Sequence, residues 1–224
     1  MVLNSHCEHT LMAFADPTRL IIQTGDLIFV RPQLDPRQAV DDAILAVGNA
    51  TIQWMRAHGF QVPTNETSVH VALAWRNGSS LIFVEATPPA VRLTRATDFW
   101  KAWSGAKAFY HAIVPTDKIP RHVQERAVEH AVQQVGTPYS YGFSPPPSAF
   151  YCSSLVEWSY QRAVSTSHVF INQSFPLIFV PRDFWERYYA KMGVKLPPPN
   201  TTGSNPTLLL HSPLVRFHRL SIGR

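Results

Sequence analysis

Short apolar runs along the chain predict the strands of a sheet. A buried strand is typically a run of about four to eight residues, rich in branched and aromatic side chains and bounded by Gly, Pro or polar residues. The runs that fit this description are residues 25–30, 69–75, 81–84, 91–94, 109–114 and 177–180. Two of them flank Asn77-Gly78, which is the strongest short-range signal for a β-hairpin. The pattern therefore predicts a sheet that contains at least one tight antiparallel pair.

Helical periodicity occupies the intervals between these strands. Apolar residues spaced three and four apart, with Pro at several starts and Gly at several ends, predict helices over residues 36–59, 97–103, 120–136, 152–163 and 181–192. Asp35, just before Pro36, is a suitable N-cap for the first of them. Elements in this order predict an α+β domain in which an antiparallel sheet packs against helices.

The two ends of the chain lack such periodicity. We therefore divide the sequence into an N-terminal arm (1–23), one domain (24–192) and a Pro-rich C-terminal tail (193–224). The tail contains apolar residues, including Leu208, Leu209 and Leu210. Because a hydrophobic tail rarely stays free in solution, it either covers the domain or docks on a protein partner.

Composition narrows the class of protein. Hydrophobic residues make up 45% of the 224 and charged residues 16%, which fits a folded domain. The net charge of +5 comes from scattered Lys and Arg, so we expect no nucleic-acid partner. The sequence shows no secretory signal and no apolar run near the roughly 18 residues of a membrane span, so we expect a cytoplasmic protein without a membrane span. Cys7 and Cys152 form no disulfide framework, and no histidine pair has metal-ligand spacing. We therefore expect no metal and no organic cofactor.

Cys152 is the first candidate for chemistry. It follows a loop rich in Pro and Gly and comes directly before a run with helical spacing. The unpaired N–H groups and the positive dipole end at a helix start favour a thiolate, so a thiol there is a candidate nucleophile. The alternative is that Cys152 is a small buried apolar residue, as most free cysteines are.

His70 and Glu85 form the second candidate. With Asn77 and Gly78 as the two turn residues, His70 lies directly opposite Glu85 and on the same face of the hairpin. A four-residue loop through Ser80 shifts the pairing by two residues but keeps the shared face. A carboxylate beside an imidazole fixes its tautomer and raises its basicity, as a general base requires. The alternative is a structural hydrogen bond between the two. With Cys152 they are the parts of a Cys–His–acid triad.

The segments GDLIFVR, SVHVALAW, FVEA, GTPYSYGF and FYCSSLV resemble the YiiX/YebB-like group of NlpC-type cysteine hydrolases. The resemblance covers roughly residues 24–190 and implies a circularly permuted papain-like fold, shared with lecithin:retinol acyltransferase-like enzymes. It implies Cys152 as the nucleophile, His70 as the base and Glu85 as the group that orients His70. It also implies substrate-positioning roles for Tyr139, for Tyr141 in the same loop and for Asp26, although a structural role for Asp26 is equally compatible.

Two positions depart from the pattern of this group, and they leave two functions open. Ser140 stands where the group often has Asp, and Ser154 where it commonly has Glu. The first function is a cysteine hydrolase or acyltransferase that acts on an amide, thioester or lipid ester through an acyl-enzyme. Its substrate would be a small molecule, a lipid or a peptide. The second is an inactive or weakly active subunit that uses the same fold to bind partners in a larger assembly.

Overall fold

The structure, a computed structural model, describes residues 22–33, 39–143 and 146–220. Its strands are β1 (Leu27–Pro32), β2 (His70–Asn77), β3 (Ser80–Thr87), β4 (Ala90–Arg95), β5 (Ala106–Ile113) and β6 (Arg216–Leu220). Its helices are α1 (Ala39–Ala57), α2 (Ala96–Ala102), α3 (Arg121–Val132), α4 (Cys152–Val164), α5 (Arg182–Lys191) and α6 (Pro206–Leu210). The predicted cap at Asp35-Pro36 and most of the predicted arm lie outside the described residues.

Within these ranges, the six strands form one antiparallel sheet in the order β4-β3-β2-β1-β5-β6. Successive side chains of a strand point to opposite faces, so each strand supplies both sides of the sheet. Leu27, Phe29, Val71 and Leu73 face a core that they share with α3 and α4. The opposite face, with Ile28 and other small or branched residues, packs on α2. The result is the α+β arrangement predicted from the sequence.

The β2–β3 turn differs from the prediction by one position. Asn77 pairs with Ser80, so the two turn residues are Gly78 and Ser79 rather than Asn77 and Gly78. Gly78 has φ +60°, a conformation that glycine adopts without steric cost at the first central position of a type II′ turn. The register therefore shifts by two residues, which is the same shift that the four-residue loop would give. The direct opposition of His70 and Glu85 is wrong, but their shared face is kept.

The strand predicted at residues 177–180 is also wrong. This segment belongs to no strand, and its backbone pairing with the tail consists of a bridge between Pro176 and Thr202 and a hydrogen bond from Leu177 N to Thr201 O (2.8 Å). Its Ile178 and Phe179 pack against the aromatic residues of α5 instead of entering the sheet. A short apolar run of this kind does not by itself specify a strand partner.

The segment after residue 192 contributes to the core and the sheet. Leu208, Leu209 and Leu210 in α6 are fully buried, and β6 pairs with β5 at the sheet edge. Asn205 caps α6 by accepting a hydrogen bond from Leu208 N and also donates to Thr51 in α1 (both 2.9 Å). None of the helices in the described ranges combines the length and apolar character that a bilayer-spanning segment requires.

Candidate active site

Cys152 occupies the first residue of α4, as the sequence predicted. Tyr151 is the N-cap, and its backbone N–H donates to Ser154 Oγ at 3.0 Å, which fixes the entry of the chain into the helix. Ser154, one of the departures from the group pattern, thus has a structural role as the capping side chain. The Cys152 side chain is buried, and its sulfur has a long contact of 3.9 Å with Val69 O.

Glu85 and His70 form a buried pair beside this helix start. His70 Nε2 lies 2.6 Å from Glu85 Oε2, and the other carboxylate oxygen accepts hydrogen bonds from Thr94 Oγ1 (2.6 Å) and Arg92 Nε (3.1 Å). Burial of the carboxyl opposes its charge, but the hydrogen bonds and the neighbouring cations prevail and lower the pKa of Glu85 to about 2. Glu85 is therefore a carboxylate throughout the neutral range.

His70 connects this carboxylate with the thiol. Because Nε2 faces Glu85, Nδ1 is the ring nitrogen available to the nearby Cys152 thiol. Burial of the imidazole opposes its protonated form, but the contacts with Cys152 and Glu85 outweigh it and raise the pKa of His70 to about 10. The ring also stacks on Trp103, with centroids 5.4 Å apart. The arrangement favours an imidazolium held between two acidic groups.

Of the two tyrosines predicted to position the substrate, Tyr139 and Tyr141, only the first lines the cavity beside Cys152. Tyr139 lines the cavity next to Cys152, and burial together with the nearby Cys152 raises the pKa of its phenol, so the hydroxyl stays protonated and can donate. Tyr141 does not line that cavity. Its ring packs edge-on against Tyr139 at 5.2 Å, and its backbone carbonyl accepts a hydrogen bond from Tyr188 OH at 3.1 Å. Its contacts support Tyr139 rather than reach Cys152.

Asp26 lies in a separate buried pair. Its Oδ2 is 2.8 Å from His111 Nε2 and accepts a hydrogen bond from Gln23 N at 2.8 Å. The neighbouring Gly25 carbonyl accepts from Tyr160 OH, eight residues after Cys152 in α4. Eight residues are about 12 Å of helix, so Asp26 is near the opposite end of α4 from the thiol. Its contacts are those of a structural pair, and a substrate-positioning role stays a prediction.

An apolar cavity opens beside Cys152. Its volume is about 60 Å³, which is small for a ligand site, so it admits a compact group. Its wall comes from α1, from the loop before α4, from the 177–179 segment and from the tail. The lining residues are Ile44, Val47, Val69, Tyr139, Phe143, Tyr151, Cys152, Ser153, Leu177, Ile178, Phe179, Trp185, Ser204, Asn205 and Pro206.

The tail residues of this wall, Ser204 to Pro206, were missed by the sequence analysis. They follow a Pro-rich stretch without periodicity, and no motif marks them. Phe143, in the loop before α4, contributes to the wall, whereas Phe150 and Trp158 pack against each other outside it (centroids 5.3 Å apart). No group of three or more His, Cys, Asp or Glu residues within the described ranges is arranged to hold a metal ion.

Two comparisons with known proteins agree with the fold. A family model described as permuted papain-like amidase enzyme, YaeF/YiiX, C92 family, matches residues 21–215. Among solved structures, the chain is similar to a crystal structure described as the metalloprotein yiiX from Escherichia coli O157:H7. The TM-score is 0.61 and the identity 20%, over 90% of this chain and 97% of that one. No curated protein matches significantly. The permuted papain-like fold predicted from the sequence is confirmed.

Proposed function

Because the chain belongs to the YaeF/YiiX family of permuted papain-like amidases, family C92, we propose that it is a cysteine hydrolase with Cys152 as its nucleophile. The observation that carries the proposal is the position of the His70 ring, which lies 2.6 Å from the Glu85 carboxylate and beside the Cys152 thiol that helps to raise its pKa. A nucleophile, a neighbouring base and an acid that orients the base are the parts of a catalytic triad.

In the first half of the reaction, the Cys152 thiolate attacks the carbonyl carbon of the substrate and the carbonyl electrons move to its oxygen. The backbone N–H groups at the start of α4 and the protonated Tyr139 hydroxyl are the donors available to this oxyanion. As the tetrahedral intermediate collapses, the bond to the leaving group breaks and His70 gives that group its proton. The product is an acyl-enzyme thioester on Cys152.

In the second half, His70 is neutral and acts as the base. It takes a proton from water, or from another acceptor in the case of a transferase, and the resulting nucleophile attacks the thioester carbon. Collapse of the second intermediate releases the acid or the transferred acyl group and restores the thiolate beside the imidazolium. Glu85 remains a carboxylate throughout and stabilises the charged ring. Only residues of this chain are needed for these steps.

The cavity supports an acyl group with an apolar body. Its wall is mainly aliphatic and aromatic and includes Ile44, Val47, Ile178 and Trp185. Amide, thioester and lipid ester bonds are all open to attack by a thiolate, and the family description favours an amide. The solved structure that resembles this chain is described as a metalloprotein, but the proposal uses no metal, since the described residues contain no matching ligand group.

Alkylation by iodoacetamide tests the nucleophile directly. At about pH 6, where an ordinary thiol is almost fully protonated, we expect Cys152 to react at least about tenfold faster than Cys7 in the same chain. His70→Ala should remove this difference, because the imidazolium that stabilises the thiolate is gone. Equal reactivity of the two cysteines would overturn the proposal and favour the alternative of a binding subunit with an inactive site.

A further inference from the structure

Two buried hydroxyl groups border the otherwise apolar cavity beside Cys152. Ser153 is fully buried and Ser204 is 2% exposed, and both line the cavity. Neither Oγ has a hydrogen-bond partner. Most buried side-chain polar atoms are hydrogen-bonded, so two unpaired hydroxyls beside a catalytic thiol call for an explanation. A ligand in the cavity would supply the missing partners.

Ser204 is held rigidly in this position. Its backbone N–H donates to Tyr151 OH at 3.2 Å, which ties the tail to the residue just before Cys152. The preceding Gly203 allows the approach, because a Cβ there would meet Leu177 Cδ2 at 2.6 Å and Tyr151 Oη at 2.9 Å. The following Asn205 is fixed as the cap of α6. The Ser204 hydroxyl is thus presented by a segment that is constrained on both sides.

Two ionisable groups lie near this hydroxyl, the Glu157 carboxyl and the Tyr151 phenol, and neither is bonded to it. Burial raises the pKa of Glu157 to about 7, and a contact with Ser204 acts in the opposite direction. The Ser204 hydroxyl nevertheless forms no hydrogen bond of normal geometry, to Glu157 or to any other described residue. It therefore remains able to bind a polar atom of a ligand in the cavity.

We infer that Ser204 is a specificity-determining residue, which selects an acyl group that carries a hydrogen-bonding atom on its apolar body, as an N-acylated amino acid does. A plain hydrocarbon chain in the same cavity would leave the Ser204 and Ser153 hydroxyls buried and unpaired. A site with buried polar groups rejects analogues that lack the matching atom more strongly than an apolar site rejects an extra methylene. The inference rests on the proposed function and names the acyl class.

Two p-nitrophenyl esters with acyl chains of equal length test it. N-acetylglycyl and pentanoyl esters both have chains of five atoms, but only the first has an amide that can bond to Ser204. We expect Ser204→Ala to lower kcat/KM for the N-acetylglycyl ester by about tenfold, and to leave or raise kcat/KM for the pentanoyl ester. The ratio of the two substrates, compared between wild type and variant, cancels their different intrinsic reactivity.

Ser159→Ala is the matched control. Ser159 is on the same helix as Ser153, is fully buried and also has an unpaired hydroxyl, but it does not line the cavity. We expect this variant to leave the ratio of the two substrates unchanged. A change as large as that of Ser204→Ala would show a general effect of removing a buried hydroxyl and would overturn the inference.

The remaining outcomes separate the two proposals. If both esters are turned over with dependence on Cys152, and Ser204→Ala changes both equally or neither, the inference is wrong while the proposed function stands. If neither ester shows turnover that depends on Cys152, and neither slows alkylation of Cys152 by iodoacetamide, the proposed function fails and the inference fails with it. A selective loss for the N-acetylglycyl ester, with a melting temperature equal to that of the wild type, supports both.

Discussion

His70 Nε2 lies 2.6 Å from Glu85 Oε2, although the two residues are not opposite each other in the hairpin. The register pairs Leu73 with Val84, so Glu85 continues opposite Ala72, and His70 lies two residues before Ala72 at the start of β2. Diagonal neighbours on one face are about 7–8 Å apart, which a long side chain can span. The small Ala72 leaves the carboxylate room to reach the imidazole. The pair therefore depends on one long and one small side chain, not on direct opposition.

The charge of Glu85 is the first property to test. Glu85→Gln keeps the size of the side chain and its hydrogen-bonding capacity but removes the charge that stabilises the imidazolium. We expect turnover to fall strongly but incompletely, by about 10²- to 10⁴-fold. We also expect the pKa of His70 to fall from about 10, so that the alkaline limb of the pH–rate profile moves to lower pH. Both are measured from kcat/KM as a function of pH.

The double variant tests whether His70 and Glu85 act as one unit. His70→Ala should reduce turnover more than Glu85→Gln, because it removes the proton carrier itself. Combined, the two changes should cost little more than His70→Ala alone, since residues of one catalytic unit are not additive. Additive losses would contradict the assignment of Glu85 as the partner of His70.

The same pair should make stability depend on pH. The pKa of His70 is raised from 6.5 to about 10. The stability that the folded protein gains from this residue is therefore fully present below about pH 6.5 and is lost as the pH rises through 10. The pKa of Glu85 is lowered from 4.5 to about 2. The stability gained from this residue is therefore fully present above about pH 4.5 and is lost as the pH falls through 2. The free energy of unfolding of wild type relative to Glu85→Gln should therefore be largest between about pH 4.5 and 6.5.

Denaturant unfolding at a series of pH values measures this difference. Asp183→Asn is a suitable control, because Asp183 pairs with Arg187 at 3.0 Å on the surface of α5, where both side chains are about 70% exposed. Exposed pairs of this kind contribute little to stability, so the control should show a small difference without a clear maximum. A profile for Glu85→Gln as flat as that of the control would rule out the buried ion pair.

Removal of the thiol should separate chemistry from folding. Cys152→Ala should abolish hydrolysis, because the nucleophile is lost. It should change the melting temperature by no more than about 3 °C, since the thiol leaves a small cavity compared with a Leu→Ala change. Cys7→Ala is the control for activity and should retain it. If Cys152→Ala unfolds the domain, the residue is part of the core and the catalytic assignment is wrong.

The sequence was informative where the signals are local. The helix start at Cys152 follows from the change of loop composition to helical spacing, and the shared face of His70 and Glu85 follows from the twofold alternation of strands, which a shift of two residues preserves. The β6 strand and α6 could not be predicted in this way. Each is only five residues long, and each is specified by contacts with partners remote in sequence, as in the bond from Asn205 to Thr51.

Deletion of the chain from Pro197 onward tests the contribution of that segment to the fold. It removes Leu208, Leu209 and Leu210, all fully buried, and uncovers the edge of β5. Each buried Leu contributes roughly 1.5–3 kcal/mol, so we expect the truncated chain to be unfolded or aggregated. A shorter deletion from Arg216 removes only β6, which is largely exposed, and should lower the melting temperature by a few degrees. Equal stability of the longer truncation, measured by thermal unfolding, would contradict this role.

The packing of α6 against α1 rests on a glycine in the middle of α1. A Cβ at Gly48 would meet Thr207 Oγ1 at 2.6 Å, and that oxygen accepts a hydrogen bond of 3.1 Å from Ser68 N. Ser68 lies two residues before His70, and its hydroxyl is 2.8 Å from the His70 carbonyl oxygen. Space at Gly48 therefore sets the position of Thr207 and, through Ser68, that of the strand that carries the base.

Gly48→Ala should accordingly destabilise the domain and reduce turnover. Alanine favours a helix interior by about 1 kcal/mol over glycine, but overpacking a buried contact costs about 1–3 kcal/mol, so we expect a net loss of stability. Gly105→Ala is the control, because a Cβ there meets nothing within 4 Å and the residue has no positive φ. This variant should have unchanged or slightly higher stability. Adding Thr207→Ala to Gly48→Ala removes the clashing oxygen. The double variant should therefore lose less stability than the sum of the losses in the two single variants. Strict additivity in denaturant unfolding would show that Gly48 and Thr207 do not interact.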